Sequence, residues 1–194
     1  MKSLKGTKTA ENLMKAFAGE SQARTRYTYY ASQARKEGYV QISNIFLETA
    51  ENEKEHAKRF FKFLNESLCG EAVEINASYP VALGDTRANL KAAAEGENEE
   101  WTDLYPTFAD IAEKEGFSQI ANVWKEIAEV EERHETRYRK LLENIESSKV
   151  FEKDEEVEWK CSNWGYIYKG KSAPKVCPAC AHPRDYFEVF VENY

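Results

Sequence analysis

Glu53-Lys54-Glu55-His56, inside a run of helical periodicity, returns 78 positions later as Glu131-Glu132-Arg133-His134. Residues three apart on a helix share one face, a turn apart in height. Each stretch therefore presents a carboxylate and an imidazole together. The repeat extends outward. Glu37-Gly38-Tyr39 and Gln41-Ile42-Ser43 match Glu115-Gly116-Phe117 and Gln119-Ile120-Ala121 at the same offset, and Gly19-Glu20 matches Gly96-Glu97 at 77. This period is too long for a solenoid and reads as a duplicated helical hairpin that pairs to bury a common core.

Four helices follow from the periodicity. The first runs from about Thr9 to Glu37, with Leu13, Phe17, Tyr27, Tyr30 and Ala34 recurring at helical steps. Thr7 or Thr9 can cap it and Gly38 can end it. The second spans about Val40 to Glu66, the third Asp85 or Thr86 to Glu115, and the fourth Ser118 to Ser147. Residues 67–85 carry the breakers Cys69-Gly70, Tyr79-Pro80 and Gly84-Asp85, so they read as a crossover. Two short turns and one long crossover give a mainly α, ferritin-like four-helix bundle.

Glu20 and Glu97 occupy equivalent places on the first helix of each hairpin. One Glu from each of two helices, with Glu-x-x-His from each of the other two, is the pattern of di-iron and di-manganese bundles. Redox-active cations of this kind favour carboxylate oxygen, and a carboxylate can bridge two of them. Phe17, Tyr27, Phe46, Ala50, Ala57 and Phe60 make the surrounding faces apolar, where unpaired acids would be costly. Glu20, Glu53, His56, Glu97, Glu131 and His134 are thus candidate ligands of two metal ions.

Glu100 breaks the symmetry. It shares a face with Glu97, but its first-repeat counterpart is Gln22 or Ala23. The offset is 77 at Glu97 and 78 at Tyr105, which maps onto Tyr27. One extra residue inside a helix predicts a π-bulge near Glu100, turning its carboxylate toward one metal. A ferrous ion accepts imidazole in place of carboxylate more readily than a ferric ion, so His56 and Glu100 can be alternative ligands of one iron. Tyr27 lies two turns beyond Glu20, and its phenol can hydrogen-bond a ligand carboxylate, as can that of Tyr105. Glu100, Tyr27 and Tyr105 are the candidate catalytic groups, as carriers of protons.

Composition changes near residue 150. Three of the four cysteines and three of the five prolines fall in residues 157–194. The expected organisation is a bundle domain over 1–148, a linker over 149–156 and a small metal-binding module over 157–194. Paired Cys-x-x-Cys knuckles bind one tetrahedral metal through four thiolates. The second knuckle, Cys177-Pro178-Ala179-Cys180, is intact. The first, Cys161-Ser162-Asn163-Trp164, has Trp164 where its second cysteine should stand. Indole N–H only donates, so three thiolates remain: Cys161, Cys177 and Cys180. The site is expected to hold one iron, to hold zinc, or to be vacant. Cys69 stands apart in the crossover.

Together these motifs resemble rubrerythrin over essentially the whole chain. The resemblance rests on Phe17-Ala18-Gly19-Glu20-Ser21-Gln22-Ala23-Arg24, both Glu-x-x-His stretches, Gly96-Glu97 with Glu100, and the rubredoxin-like tail. It implies a di-iron bundle fused to a rubredoxin-like module. It implies that Glu20, Glu53, His56, Glu97, Glu100, Glu131 and His134 are ligands, with Glu100 and His56 exchanging on one iron. The implied activity is a peroxidase that reduces hydrogen peroxide to water and protects against oxidative stress. The electrons would come from a donor protein such as rubredoxin or its reductase system. It also implies a homodimer or higher homo-oligomer, in which one chain's module feeds another's di-iron site. Two other readings are a ferroxidase or iron-handling protein, and a non-enzymatic electron-transfer metalloprotein.

Bulk properties agree with this frame. The 194 residues include 34 acids against 27 bases, a formal net charge of −7. No basic cluster could neutralise a nucleic-acid backbone. No apolar run approaches a membrane span, and Met1–Lys15 has no hydrophobic signal region. The expectation is a cytoplasmic protein with neither nucleic-acid nor membrane partners. Five of the glutamates are expected inside, at metal.

Overall fold

The computed structural model describes residues 2–193. Met1 and Tyr194, the outer ends of the two expected domains, lie outside the described residues. Helices α1 (Lys8–Lys36) and α2 (Val40–Leu68) form the first hairpin. Thr7 caps α1 by accepting from the N–H of Ala10, and Gly38, at φ +83°, makes the turn into α2. Such a positive φ is a conformation that glycine adopts without steric cost. The second hairpin comprises α3 (Thr86–Glu99), a π-helical turn (Glu100–Leu104), α4 (Tyr105–Lys114) and α5 (Ser118–Glu146).

The expected bulge is therefore a full π turn that begins at Glu100. The N–H of Tyr105 donates to the carbonyl of Glu100, five residues back. Pro106 follows directly and has no N–H to continue a regular ladder. What periodicity reads as one third helix is thus two α segments joined by this turn.

Two apolar clusters fill the bundle. One gathers Leu13, Phe60, Leu64, Tyr105 and Trp124, and the other Tyr27, Tyr30, Phe46, Leu90 and Tyr138. Between these sets lie Glu20 on α1, Glu53 and His56 on α2, Glu97 on α3, and Glu131 and His134 on α5. A polar layer therefore crosses the bundle between two apolar plates. Full burial of one large apolar side chain contributes about 1.5–3 kcal/mol. The plates are what offset the cost of burying the polar layer.

The C-terminal module is a three-stranded antiparallel sheet in the order β2-β1-β3. Its strands are β1 (Glu152–Cys161), β2 (Ile167–Ser172) and β3 (Phe187–Val189). Trp159, Phe187, Ala173, Cys161 and Cys177 form its core. Strand β1 begins inside the stretch read as a linker. The register shifts between Glu152, opposite Ser172, and Val157, opposite Gly170, so the acidic run between them stands out of the ladder. The Phe151 ring stacks on Tyr39, with centroids 6.3 Å apart. Among the described residues no helix is long and apolar enough to cross a membrane.

Candidate metal centre

The polar layer resolves into two overlapping groups of ligand atoms. Glu20, Glu53, His56 and Glu131 form one, and Glu53, Glu97, Glu131 and His134 form the other, with all chosen atoms of a group within 4.8 Å of one another. Glu53 and Glu131 belong to both. One Glu and one His from a single hairpin complete each group: Glu20 of α1 with His56 of α2, and Glu97 of α3 with His134 of α5.

The distances follow the same two-fold pattern. His56 Nδ1 lies 3.0 Å from Glu53 and 2.9 Å from Glu131. His134 Nδ1 lies 2.7 Å from Glu131 and 3.3 Å from Glu53. The two imidazole rings are 6.1 Å apart at 24°. The four glutamates are fully buried, and both imidazoles nearly so.

These atoms pass a direct test of fit to metal. Both oxygens of Glu53, both of Glu131, one each of Glu20 and Glu97, and Nδ1 of both histidines are buried without a hydrogen-bond partner. A buried polar atom left unpaired costs about 1–3 kcal/mol, more when charged. Convergent orphans of one donor type are what two cations would satisfy, and the set suits a pair of carboxylate-bridged ions.

Electrostatics of the chain alone show the same demand for positive charge. Burial pushes the Glu20 carboxyl well up, and burial with the Glu53 charge lifts Glu97 to about 8. Burial alone would lower His134, but the facing carboxylates of Glu131 and Glu53 outweigh it and raise the imidazole to about 12. His56 is raised in the same way. Glu53, despite its burial, is pulled down to about 2 by His134 and His56.

The tyrosines cross over. Tyr27 donates to Glu97 at 2.5 Å, and Tyr105 donates to Glu20 at 2.5 Å. Each phenol serves the glutamate of the other hairpin. Burial keeps both phenols well above their ordinary value, so both hold their protons.

Glu100 lies in neither four-residue group. It stands at the start of the π turn, on the wall of a cavity of about 270 Å³ shared with Gly19, Tyr79, Gly96 and Tyr105. Burial, then the Glu20 charge, drives its carboxyl well up. A Cβ placed on Gly19 would meet Tyr79 at 3.6 Å and Glu100 Oε1 at 4.0 Å. Tyr79 comes from the crossover and anchors it by donating to the carbonyl of Lys15 at 2.9 Å. Its place over the cavity has no signal in local periodicity. Local periodicity does not single out Glu135 either. Next to His134, it accepts from Asn98 and Trp101 and pairs with Arg139; only its i, i+4 spacing to Arg139 could have pointed to it.

In the C-terminal module the thiols of Cys161, Cys177 and Cys180 converge. Burial raises the Cys177 thiol, but the N–H groups of Ala179 and Cys180 outweigh it and bring the thiol below its ordinary value. That is an environment suited to a thiolate ligand. Trp164 is 69% exposed and takes no part.

The rubrerythrin family profile matches residues 11–142, and that of the rubrerythrin rubredoxin-like domain matches residues 159–188. Rubrerythrin-1 of Clostridium acetobutylicum is 72% identical over 195 residues, covering 100% of both chains. A rubrerythrin of Clostridium perfringens is 68% identical with the same coverage. Among solved structures, nigerythrin in its mixed-valence state aligns with a TM-score of 0.63 at 31% identity, over 97% of this chain and 92% of that one. The bundle thus contains a di-iron carboxylate site, and the three cysteines of the tail are consistent with iron there too.

Proposed function

The chain belongs to the rubrerythrin family, whose members are generally oxidoreductases, and from that premise we propose that it is a non-haem peroxidase reducing hydrogen peroxide to water. Its electrons come from an external redox protein, with the C-terminal module as a way in. When bound, the two irons position and polarise peroxide and supply one electron each. Glu20 and His56 would hold one iron and Glu97 and His134 the other, with Glu53 and Glu131 available to both. Glu100, on the cavity wall, would be a further ligand, an alternative to His56.

The residues divide the remaining work. The cavity beneath Tyr79 admits a molecule of the size of peroxide to the Glu100 side. Glu100, with its raised carboxyl, carries a proton at the cavity wall. Tyr27 and Tyr105 hold Glu97 and Glu20 in orientation and keep their own protons available. The apolar plates on either side keep bulk water from the layer. The domain division at 1–148 and 157–194 and a homo-oligomeric assembly belong to the same proposal.

One observation carries the reading most: a surplus carboxylate, Glu100, on a π turn between the ligand layer and a cavity. A static metal site needs no surplus ligand. Oxidation of the ferrous protein should be compared under peroxide and under oxygen. Faster oxidation by peroxide supports the proposal. Faster oxidation by oxygen, with iron released or stored, supports the iron-handling reading instead.

A further inference from the structure

The two cysteine loops of the C-terminal module are built alike. In the first, the N–H of Cys161 donates to the carbonyl of Tyr166 at 2.9 Å, and the N–H of Gly165 donates to Cys161 at 2.7 Å. In the second, the N–H of Cys177 donates to His182 at 2.8 Å, and the N–H of Ala181 donates to Cys177 at 2.8 Å. Gly165 and Ala181 both adopt the left-handed conformation, at φ +75° and +57°. Residue by residue, Trp164 therefore stands in the first loop where Cys180 stands in the second.

The two side chains point differently. Cys180 Sγ lies 3.7 Å from Cys161 Sγ, inside the cluster. Trp164, 69% exposed, projects into solvent. It is neither a ligand nor a plug. Among the described residues no other His, Cys, Asp or Glu joins the three thiols. His182 is the nearest candidate by sequence, but its Nδ1 faces the Cys180 carbonyl at 3.1 Å and its ring packs edge-on against Tyr186. Cys180 itself is only partly buried, so the group has one side toward solvent.

We propose that Cys161, Cys177 and Cys180 form a three-thiolate metal site whose fourth position is open to solvent and takes a small soft anionic ligand, such as a thiolate, from solution. Three protein ligands with one exchangeable position is the arrangement of reactive rather than closed metal sites. Three soft thiolates select a metal that accepts a fourth of the same kind. The closed four-thiolate site implied by the family resemblance would exclude such a ligand. This inference does not depend on the peroxide reading, and its test involves no peroxide.

The probe is cobalt(II), bound to the full chain and followed by thiolate-to-cobalt absorption, which the carboxylate layer does not produce. Titration with 2-mercaptoethanol should raise that absorption by about one third, as three thiolates become four. Trp164→Cys should show the higher absorption from the start and not respond. Cys161→Ser should lower the absorption, assigning it to this site. The proposal is overturned if the native chain gives no thiolate absorption. It is equally overturned if the native chain already matches Trp164→Cys and ignores added thiol, since a ligand from the chain would then fill the fourth position.

Discussion

Tyr27 on α1 donates to Glu97 on α3 across the bundle, and its repeat partner Tyr105 returns the contact to Glu20. Each hairpin thus orients a buried glutamate of the other. Removing one phenol oxygen leaves a buried carboxylate free to turn. Losing such a supporting hydrogen bond typically costs 10- to 100-fold in metal affinity. Tyr105→Phe should weaken binding at the Glu20 side by roughly that factor and leave the fold intact. Competitive metal titration beside circular dichroism checks both parts.

Shared ligands should fail differently from unshared ones. Glu131→Gln removes a donor from both groups, whereas Glu97→Gln removes one from a single group. Metal content per bundle should fall below one ion for Glu131→Gln and stay near about one for Glu97→Gln. Equal losses in the two variants would contradict the bridging assignment.

The metal-free protein should weaken as pH rises. Glu97 sits at about 8 in the folded chain, against an ordinary 4.5. Between those values the folded chain keeps a proton that the unfolded chain has released, so stability falls with rising pH through this window. His134, raised from 6.5 to about 12, acts with the same sign at higher pH. Glu53, lowered to about 2, acts oppositely, but only below 4.5. Urea unfolding at about pH 5 and about pH 8 should give the lower midpoint at the higher pH. Added metal should restore more stability there, because it displaces these protons.

Gly19 should tolerate one carbon but not several. A Cβ there meets Tyr79 and Glu100 at ordinary contact distances, while a longer side chain would enter the cavity. Gly19→Ala should bind metal and react as the native chain does. Gly19→Leu should keep its helices yet slow oxidation by peroxide roughly tenfold or more, a barrier increase of about 1.4 kcal/mol. Stopped-flow absorbance decides between these outcomes.

Sequence periodicity made the helices and the ligand layer legible, because both rest on local spacing. Glu53/His56 and Glu131/His134 share faces whatever surrounds them. The π turn was legible from one inserted residue between Glu97 and Tyr105, since an insertion inside a helix must be absorbed locally. Cross-bundle relations were not. Tyr27 lies on the Glu20 face of its own helix, yet its partner is Glu97, because helix packing decides which carboxylate its hydroxyl reaches. The place of Tyr79 over the cavity and the early start of β1 at Glu152 depend on tertiary contacts that no local pattern records.

Reduction of peroxide by this layer, with Glu100 beside it, has a kinetic signature. Mixing the diferrous protein rapidly with one equivalent of hydrogen peroxide tests it most directly. Both irons should be oxidised completely in one fast phase, faster than with oxygen at equal concentration, with peroxide converted only to water. Slow or partial oxidation by peroxide, or a faster reaction with oxygen, would contradict it.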